Sequence, residues 1–431
     1  MKKVNAGSLF FVIVVAGVIS LLSMSVILSA YFTLNQDRRH LALQRLRLDL
    51  SSAKFITLAR QSLMVSKYDS SFILFAGSSD SVRVRTSPWG IFAVGKVNVS
   101  SNRWRDSSLF LIGSKPEGIF KAALYLSDLK SSLTLSGDAQ ITGDAYLPSA
   151  GINAGYVDGK SYQRDSLIYG KIKRSNKTLP IFQINLVSTF TDLLEGIDSA
   201  FKGKALSVQA LKKDTLSRSF SEEALIISSK DSIKLDNIVI QGQVVIYSKK
   251  SITVDATAML DQVILIAPKV SLSPGVTGSI QVFARDTILV SQACKLKYPS
   301  SLILMRTAGK SLKPCITLDS LASVEGIVAS LNGLKRKGSA YFSTTTNDTY
   351  ITVKKDASVI GYLYCNGYLE LLGMVRGTVL CDHFLYHSTS TLYENHLIDA
   401  HIYRSKLDTH FLGDLLLEVT GAKHAIVSYL K

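Results

Sequence analysis

"VIGYLYC" (359–365) and "VRGTVLC" (375–381) are one phrase written twice: Val, any residue, Gly, any residue, an aliphatic residue, any residue, Cys. "VEGIVAS" (324–330) repeats it with Ser in the last place. Glycine weakens a strand, so its return at one position needs a physical reason. Residues at even offsets in a strand share a face. Here one face carries Val359, Gly361, Leu363 and Cys365, all small or apolar, and the other carries Ile360, Tyr362 and Tyr364. The second face is apolar enough to require a cover.

Further copies begin at Ile141 ("ITGDAYLP"), Ile240 ("IQGQVVIYS") and Val276 ("VTGSIQVFA"). A second phrase, in "SSKDSIKLD", "SKKSITVD", "APKVSLSPG" and "ARDTILVS", puts Ile233, Ile252, Val270 and Ile288 in one column at steps of 19, 18 and 18. A β-branched column held at such a step is the signature of repeats that bury their faces only by stacking. An antiparallel sandwich has no reason to keep it. The expected fold is therefore mainly β: an N-terminal transmembrane and amphipathic helix, a small antiparallel β module, then a parallel β-helix of ~18-residue coils.

This register places Cys365 beside Cys381. Their Cα atoms would stand about 4.8 Å apart, within disulfide range, but parallel stacking leaves the Cβ atoms wider than a disulfide prefers. A buried stack of thiols and a disulfide both stay open, as does a bond between Cys294 and Cys315. No cysteine lies in a CxxC pair, so zinc and thioredoxin-like chemistry have no support.

From Leu9 to Phe32 no residue is charged, a run of 24 that exceeds the ~20 needed to span a bilayer. Lys2 and Lys3 precede it; Arg38, Arg39, Arg45 and Arg47 follow. The charge balance is nearly even, and long domains are exported regardless. The expectation is a single-pass anchor with the amino terminus inside and the body exported, periplasmic or at the cell surface. Beyond the span Leu34, Leu41, Leu48 and Phe55 recur every seven residues, with Leu43, Leu46 and Leu50 between them. That period predicts an amphipathic helix, either packing on other subunits or lipid, or covering the chain's own sheet. Short strands separated by turn signals follow over 68–113, with Trp89 and Trp104 near the turns. The expected organisation is 1–33 cytoplasmic tip and span, 34–66 stalk, 67–149 β module, 150–215 linker or insertion with one helix, 216–400 β-helix and 401–431 cap.

The start of the chain, "NAG" then Ser8 and a long apolar helix with an amphipathic continuation, resembles type IV pilins and pseudopilins. The resemblance implies cleavage after Gly7. That family carries Glu five residues after the cut, where this chain has Val12, so the likeness is to minor, tip-type members. The Val-x-Gly repeats resemble the polymer-forming, bactofilin-like β-helix proteins, which implies self-assembly.

The net charge of +16 implies attraction to anionic partners. Lys230, Lys249 and Arg285 fall near one column and form a candidate strip for an acidic polymer, against the plainer reading of charged corners facing water. Acidic residues in the repeat are scattered, with no carboxylate pair in neighbouring coils of one column, whereas glycoside hydrolysis requires two. His383 and His387 are four apart, but in a strand or loop that spacing builds no zinc site. Phosphate loops and nucleophile motifs are absent. The expectation is a membrane-anchored, non-catalytic structural or adhesion protein of the cell envelope, in a pilus-like or secretion apparatus. It has no cofactor, and its partners are membrane lipid, itself or other envelope proteins, and acidic polysaccharide; nucleic acid is not expected. The alternatives are a carbohydrate-active β-helix enzyme or binder and a membrane-tethered cytoskeletal scaffold.

Overall fold

The apolar run and its amphipathic continuation form one helix, α1 (Ala6–Leu58). The computed structural model describes residues 6–60, 68–75, 80–101, 104–180, 204–206, 211, 215–306, 314–332, 349–415 and 423–430. Two compact units divide the chain. One holds Met1–Thr57, Asp69–Arg85 and Lys96–Ser108; the other holds Leu58–Tyr68, Thr86–Gly95 and Leu109–Lys431. The chain is mainly β, with one long apolar helix, a small antiparallel sheet and a large parallel array.

In the first unit, α1 is exposed along its entire first half, and the 18-residue apolar window has a mean hydropathy of 2.8 with none of it buried. Only the second half has a covered side. Leu46, Asp49, Leu50, Ala53 and Thr57 are buried, at the three- and four-residue spacing that makes one helix face. The Thr57 hydroxyl donates to Ala53 O (2.7 Å), which lets a polar residue sit on that face. The strands of this unit are β1 (Tyr68–Phe72) and the outer parts of β2 (Ser81–Trp89), β3 (Phe92–Ser101) and β4 (Trp104–Ser114), in that order. In β2, Val82 and Val84 are buried while Arg83 and Arg85 face out, as their alternation predicts. Both arginines bond Asp69 (2.8 and 2.6 Å) and hold its carboxyl well below the usual range. Arg39 of α1 stacks over Trp104 at 5.1 Å.

In the second unit three ladders of aligned residues run through the parallel array. The first is Ile233, Ile252, Val270, Ile288, Ile316, Ile351, Leu369 and Phe384, whose first four members are the column read from the sequence. The second is Leu216, Ile240, Leu260, Gly278, Leu296, Val324, Val359, Val375, Ile402 and Ile141. The third is Ile227, Ile246, Leu265, Val282, Leu302, Val328, Leu363, Val379, Leu124, Ala145 and Ile172. Most of these side chains belong to a single buried core. Each large aliphatic removed from water contributes about 1.5–3 kcal/mol before the entropy of ordering is subtracted, so the ladders are the main source of stability.

The ladders explain the glycine. Gly326, Gly361 and Gly377 occupy successive rungs after Ser300. All three have positive φ (+142°, +139° and +156°). A Cβ on Gly361 would lie 2.0 Å from Gly326 O, and one on Gly377 would lie 1.8 Å from Gly361 O. The backbone bends there and comes too close to its neighbour for any side chain.

A second recurring device is a four-residue turn. In Ser273–Val276, Ser291–Cys294, Asp319–Ala322 and Lys354–Ala357, the last N–H returns to the first carbonyl at 3.3, 3.4, 3.0 and 3.1 Å. The third residues, Gly275, Ala293, Leu321 and Asp356, are all left-handed. The fourth is small and buried in each case, and Cys294 fills that place in one of them.

Several sequence expectations need correction. Ile240 aligns through Leu260 with Gly278 rather than Val276, because the first of the two steps is 20 residues long instead of 18. Residues 124–149 do not join the antiparallel module: Leu124–Leu126 pair in parallel with Val379–Cys381, and Ala145–Leu147 and Ile172–Arg174 follow. The 150–215 segment therefore contributes strands at 152–174. Most of the helix read over 182–214 lies outside the described residues, and Lys204–Leu206 within it pair with Leu225–Ile227. Residues 401–431 are no simple cap: His401–Tyr403 continue a ladder to Gln140–Thr142, and His424–Tyr429 pair antiparallel with Phe110–Ser114 of β4. Both pairings join segments more than 250 residues apart, which local periodicity cannot reveal.

Candidate functional site

The outward face of the Val-x-Gly strands has the cover its composition requires. Tyr362 packs against Phe411 (5.1 Å between ring centres) and Phe120 (5.5 Å), while the Tyr364 hydroxyl donates to Pro180 O (2.9 Å). Burial raises both phenols far above their ordinary range, so they remain protonated. Trp89 is likewise a core residue, edge-on to Phe220 at 5.3 Å.

A group of polar side chains gathers where residues 138–164 meet 368–401. The Tyr386 hydroxyl donates to Asp158 Oδ2 (2.8 Å) and the Ser388 hydroxyl to Asp158 Oδ1 (2.7 Å). The Lys160 amine bonds Asp399, whose Oδ1 also accepts the Asp138 N–H (3.0 Å). Asp138 takes Arg164 (2.6 Å) and His401 (3.3 Å). His387 Nδ1 meets Glu370 at 2.8 Å. His383 Nδ1 lies 2.6 Å from Glu394 Oε1, off the line of a hydrogen bond, and its ring stacks on Tyr368. Tyr386, Tyr393 and His396 form a row of rings beside it.

Chemically this surface is a clasp. Both oxygens of Asp158 are engaged by donors, and Asp158 and Asp399 are held below the usual carboxylate range, Asp158 by its bonds to Ser388 and then Tyr386. A proton donor for glycoside cleavage needs the opposite shift. Among the described residues no group of His, Cys, Asp and Glu is arranged to hold a metal ion. His383 and His387 lie on a strand, Met374–His387, and each faces a different carboxylate. His383 and His387 find carboxylates nearby in sequence, Glu394 and Glu370, whereas His401 and Tyr386 meet Asp138 and Asp158 across 263 and 228 residues, a juxtaposition no local pattern reveals.

The Asp158 contribution is complete above about pH 4, the unfolded carboxylate value, and is lost as pH falls through its lowered folded value. Tyr386, pushed up to about 12 by burial and then by the Asp158 bond, contributes fully below about pH 10 and loses its contribution as pH rises through its folded value. The protection factor of the Ser388 amide, whose N–H bonds Thr391 O (3.0 Å), is expected to be highest between these limits. Asp158→Asn is expected to remove the acid arm and to reduce the alkaline arm to the part that burial supplies. A protection factor at Ser388 that does not change with pH in the wild-type chain would refute the clasp.

The remaining sequence candidates are placed as follows. Lys230 and Lys249 are exposed and stand one residue beyond the paired Ser229 and Ser248. Arg285 does not extend them as a free cation: its guanidinium bonds Asp286 at 2.9 and 3.0 Å. Lys250 pairs with Asp231 at 2.7 Å, which offsets another charge of that edge. Cys365 and Cys381 are aligned neighbours and both are free thiols, as are Cys294 and Cys315. Burial first, and then Cys365 beside it, pushes the Cys381 thiol well above its ordinary range; it is a core rung, not a nucleophile. Comparison of the chain with protein-family models, curated proteins and solved structures finds no match.

Proposed function

We propose that this chain is a membrane-anchored, non-catalytic structural protein of the cell envelope whose body is a parallel β-helix. The observation that carries the reading is α1: one unbroken helix whose first half is apolar and uncovered and whose second half has a buried face. Such a first half is stable in a bilayer and poorly so in water. The β-helix reading is supported by three ladders whose members return every 15–21 residues wherever no longer insertion intervenes. A solenoid of this kind presents long flanks and little cleft, which suits assembly or adhesion. The pilin-like reading draws support from the same division of α1. In its favour too is the antiparallel sheet in the unit that holds the helix.

The test is topology. Protease added to intact spheroplasts is expected to attack the body without lysis, leaving a membrane-embedded amino-terminal fragment. A body protected until lysis would overturn the exported reading. Amino-terminal sequencing addresses the pilin-like part separately: a start at Ser8 is expected, and an intact Met1 would remove it.

A further inference from the structure

The heptad that signals an amphipathic helix is not the face that α1 buries. The covered face is Leu46, Asp49, Leu50, Ala53 and Thr57, whereas Leu34, Leu41, Leu48 and Phe55 are 58, 56, 65 and 70% exposed. Arg38, Arg45 and Ser52 fall between them, so that 34, 38, 41, 45, 48, 52 and 55 step by four and three in strict alternation. That is the seam of a coiled coil, with an apolar residue in one core position and arginine twice in the other. Neither Arg38 nor Arg45 has an acidic partner among the described residues, and both are exposed.

We propose that this seam docks an amphipathic helix from a different protein, one that places Asp or Glu opposite Arg38 and Arg45 and apolar residues opposite the leucines. The proposal rests on the membrane-anchor reading. A second copy of this chain is excluded by charge and geometry. Two copies anchored in one membrane run parallel, so Arg38 would meet Arg38 and Arg45 would meet Arg45 within the seam; Asp37 flanks the first pair, but Gln44 flanks the second, which no acid offsets. An antiparallel pair, which would escape this, is forbidden by the shared anchor. Lipid is excluded by length. Phe55 lies 23 residues past Phe32, about 35 Å further along the helix at 1.5 Å per residue, beyond the reach of headgroups. An acidic helix satisfies every layer: leucine against apolar residues, and arginine in a charge-assisted bond to carboxylate.

The experiment uses the full chain in nanodiscs of neutral lipid and two synthetic coiled-coil peptides. Each peptide carries Leu opposite the leucine positions. One carries Glu and the other Lys opposite the arginines. Fluorescence anisotropy is expected to show binding of the Glu peptide and not of the Lys peptide. The double variant Arg38→Glu/Arg45→Glu is expected to weaken the Glu peptide at least about tenfold and to gain the Lys peptide. This reversal of preference cannot come from misfolding. Leu48→Asp is expected to lose the Glu peptide without gaining the Lys peptide. Equal binding of the two peptides, or binding of neither, overturns the proposal. So does a disulfide-trapped dimer of the Leu48→Cys variant, which would make a second copy the occupant. Recovery of the chain within nanodiscs reads the anchor independently, so failure of the anchor and failure of the seam are told apart.

Discussion

Gly361→Ala is expected to destabilise the parallel array by about 3–5 kcal/mol, the sum of a strained backbone and a forced clash. Two costs act together. At φ +139° an L side chain collides with its own backbone, and the new Cβ would stand 2.0 Å from Gly326 O and 2.8 Å from Phe411 Cζ. The carbonyl cannot retreat, because Gly326 is itself paired with Ser300 on the next rung. Gly275→Ala is the matched control. It also has positive φ (+80°), but a Cβ there meets nothing within 4 Å. It is expected to cost only the backbone term, about 1 kcal/mol. Thermal denaturation followed by far-UV circular dichroism compares the two, and amide exchange over 358–381 locates the damage. Equal stability of the two variants would show that the rungs are not stacked so closely.

Gln281→Leu is expected to cost about 2–4 kcal/mol, through two buried backbone groups left without partners. The side chain is 4% exposed. Its Oε1 accepts the Ile91 N–H (2.9 Å), and its Nε2 donates to Trp89 O (3.2 Å). It therefore ties a turn to a strand 190 residues away. Gly90, at the turn's centre (φ +61°), leaves the room: a Cβ there would fall 1.9 Å from Gln281 Oε1. Leucine matches the volume and supplies neither bond, so the loss isolates hydrogen bonding from packing. A shift of the denaturation midpoint, with Trp89 fluorescence moving toward that of exposed indole, is the expected result. An unchanged midpoint would mean that water replaces the amide.

The column Ile233–Ile252–Val270–Ile288 and the pairing of Val359 with Val375 were legible because strand burial imposes a period of two within a rung and a near-constant step between rungs. The same logic placed Cys365 beside Cys381. It failed at Val276, since the coil from Ile240 to Leu260 is two residues longer than the repeat, and extra corner residues leave no mark on hydrophobicity. The clasp around Asp158 was not legible. Its members come from segments around 138–164 and 370–401, and nothing in either announces the other. The candidate strip faltered at Arg285 for a simpler reason: an acid one residue away took the charge.

By itself the sequence determined that the chain begins with a helix apolar enough to cross a membrane and that its body is built of strands in repeating register. Both are consequences of composition and period, which act locally. It did not determine that residues 124–174 stack beyond the last carboxyl-terminal rung or that the final strand pairs with β4. Nor did it determine which stripe of α1 stays bare. Those depend on which surfaces meet when distant segments come together. A leucine every seven residues looks the same whether its own sheet covers it or a partner must.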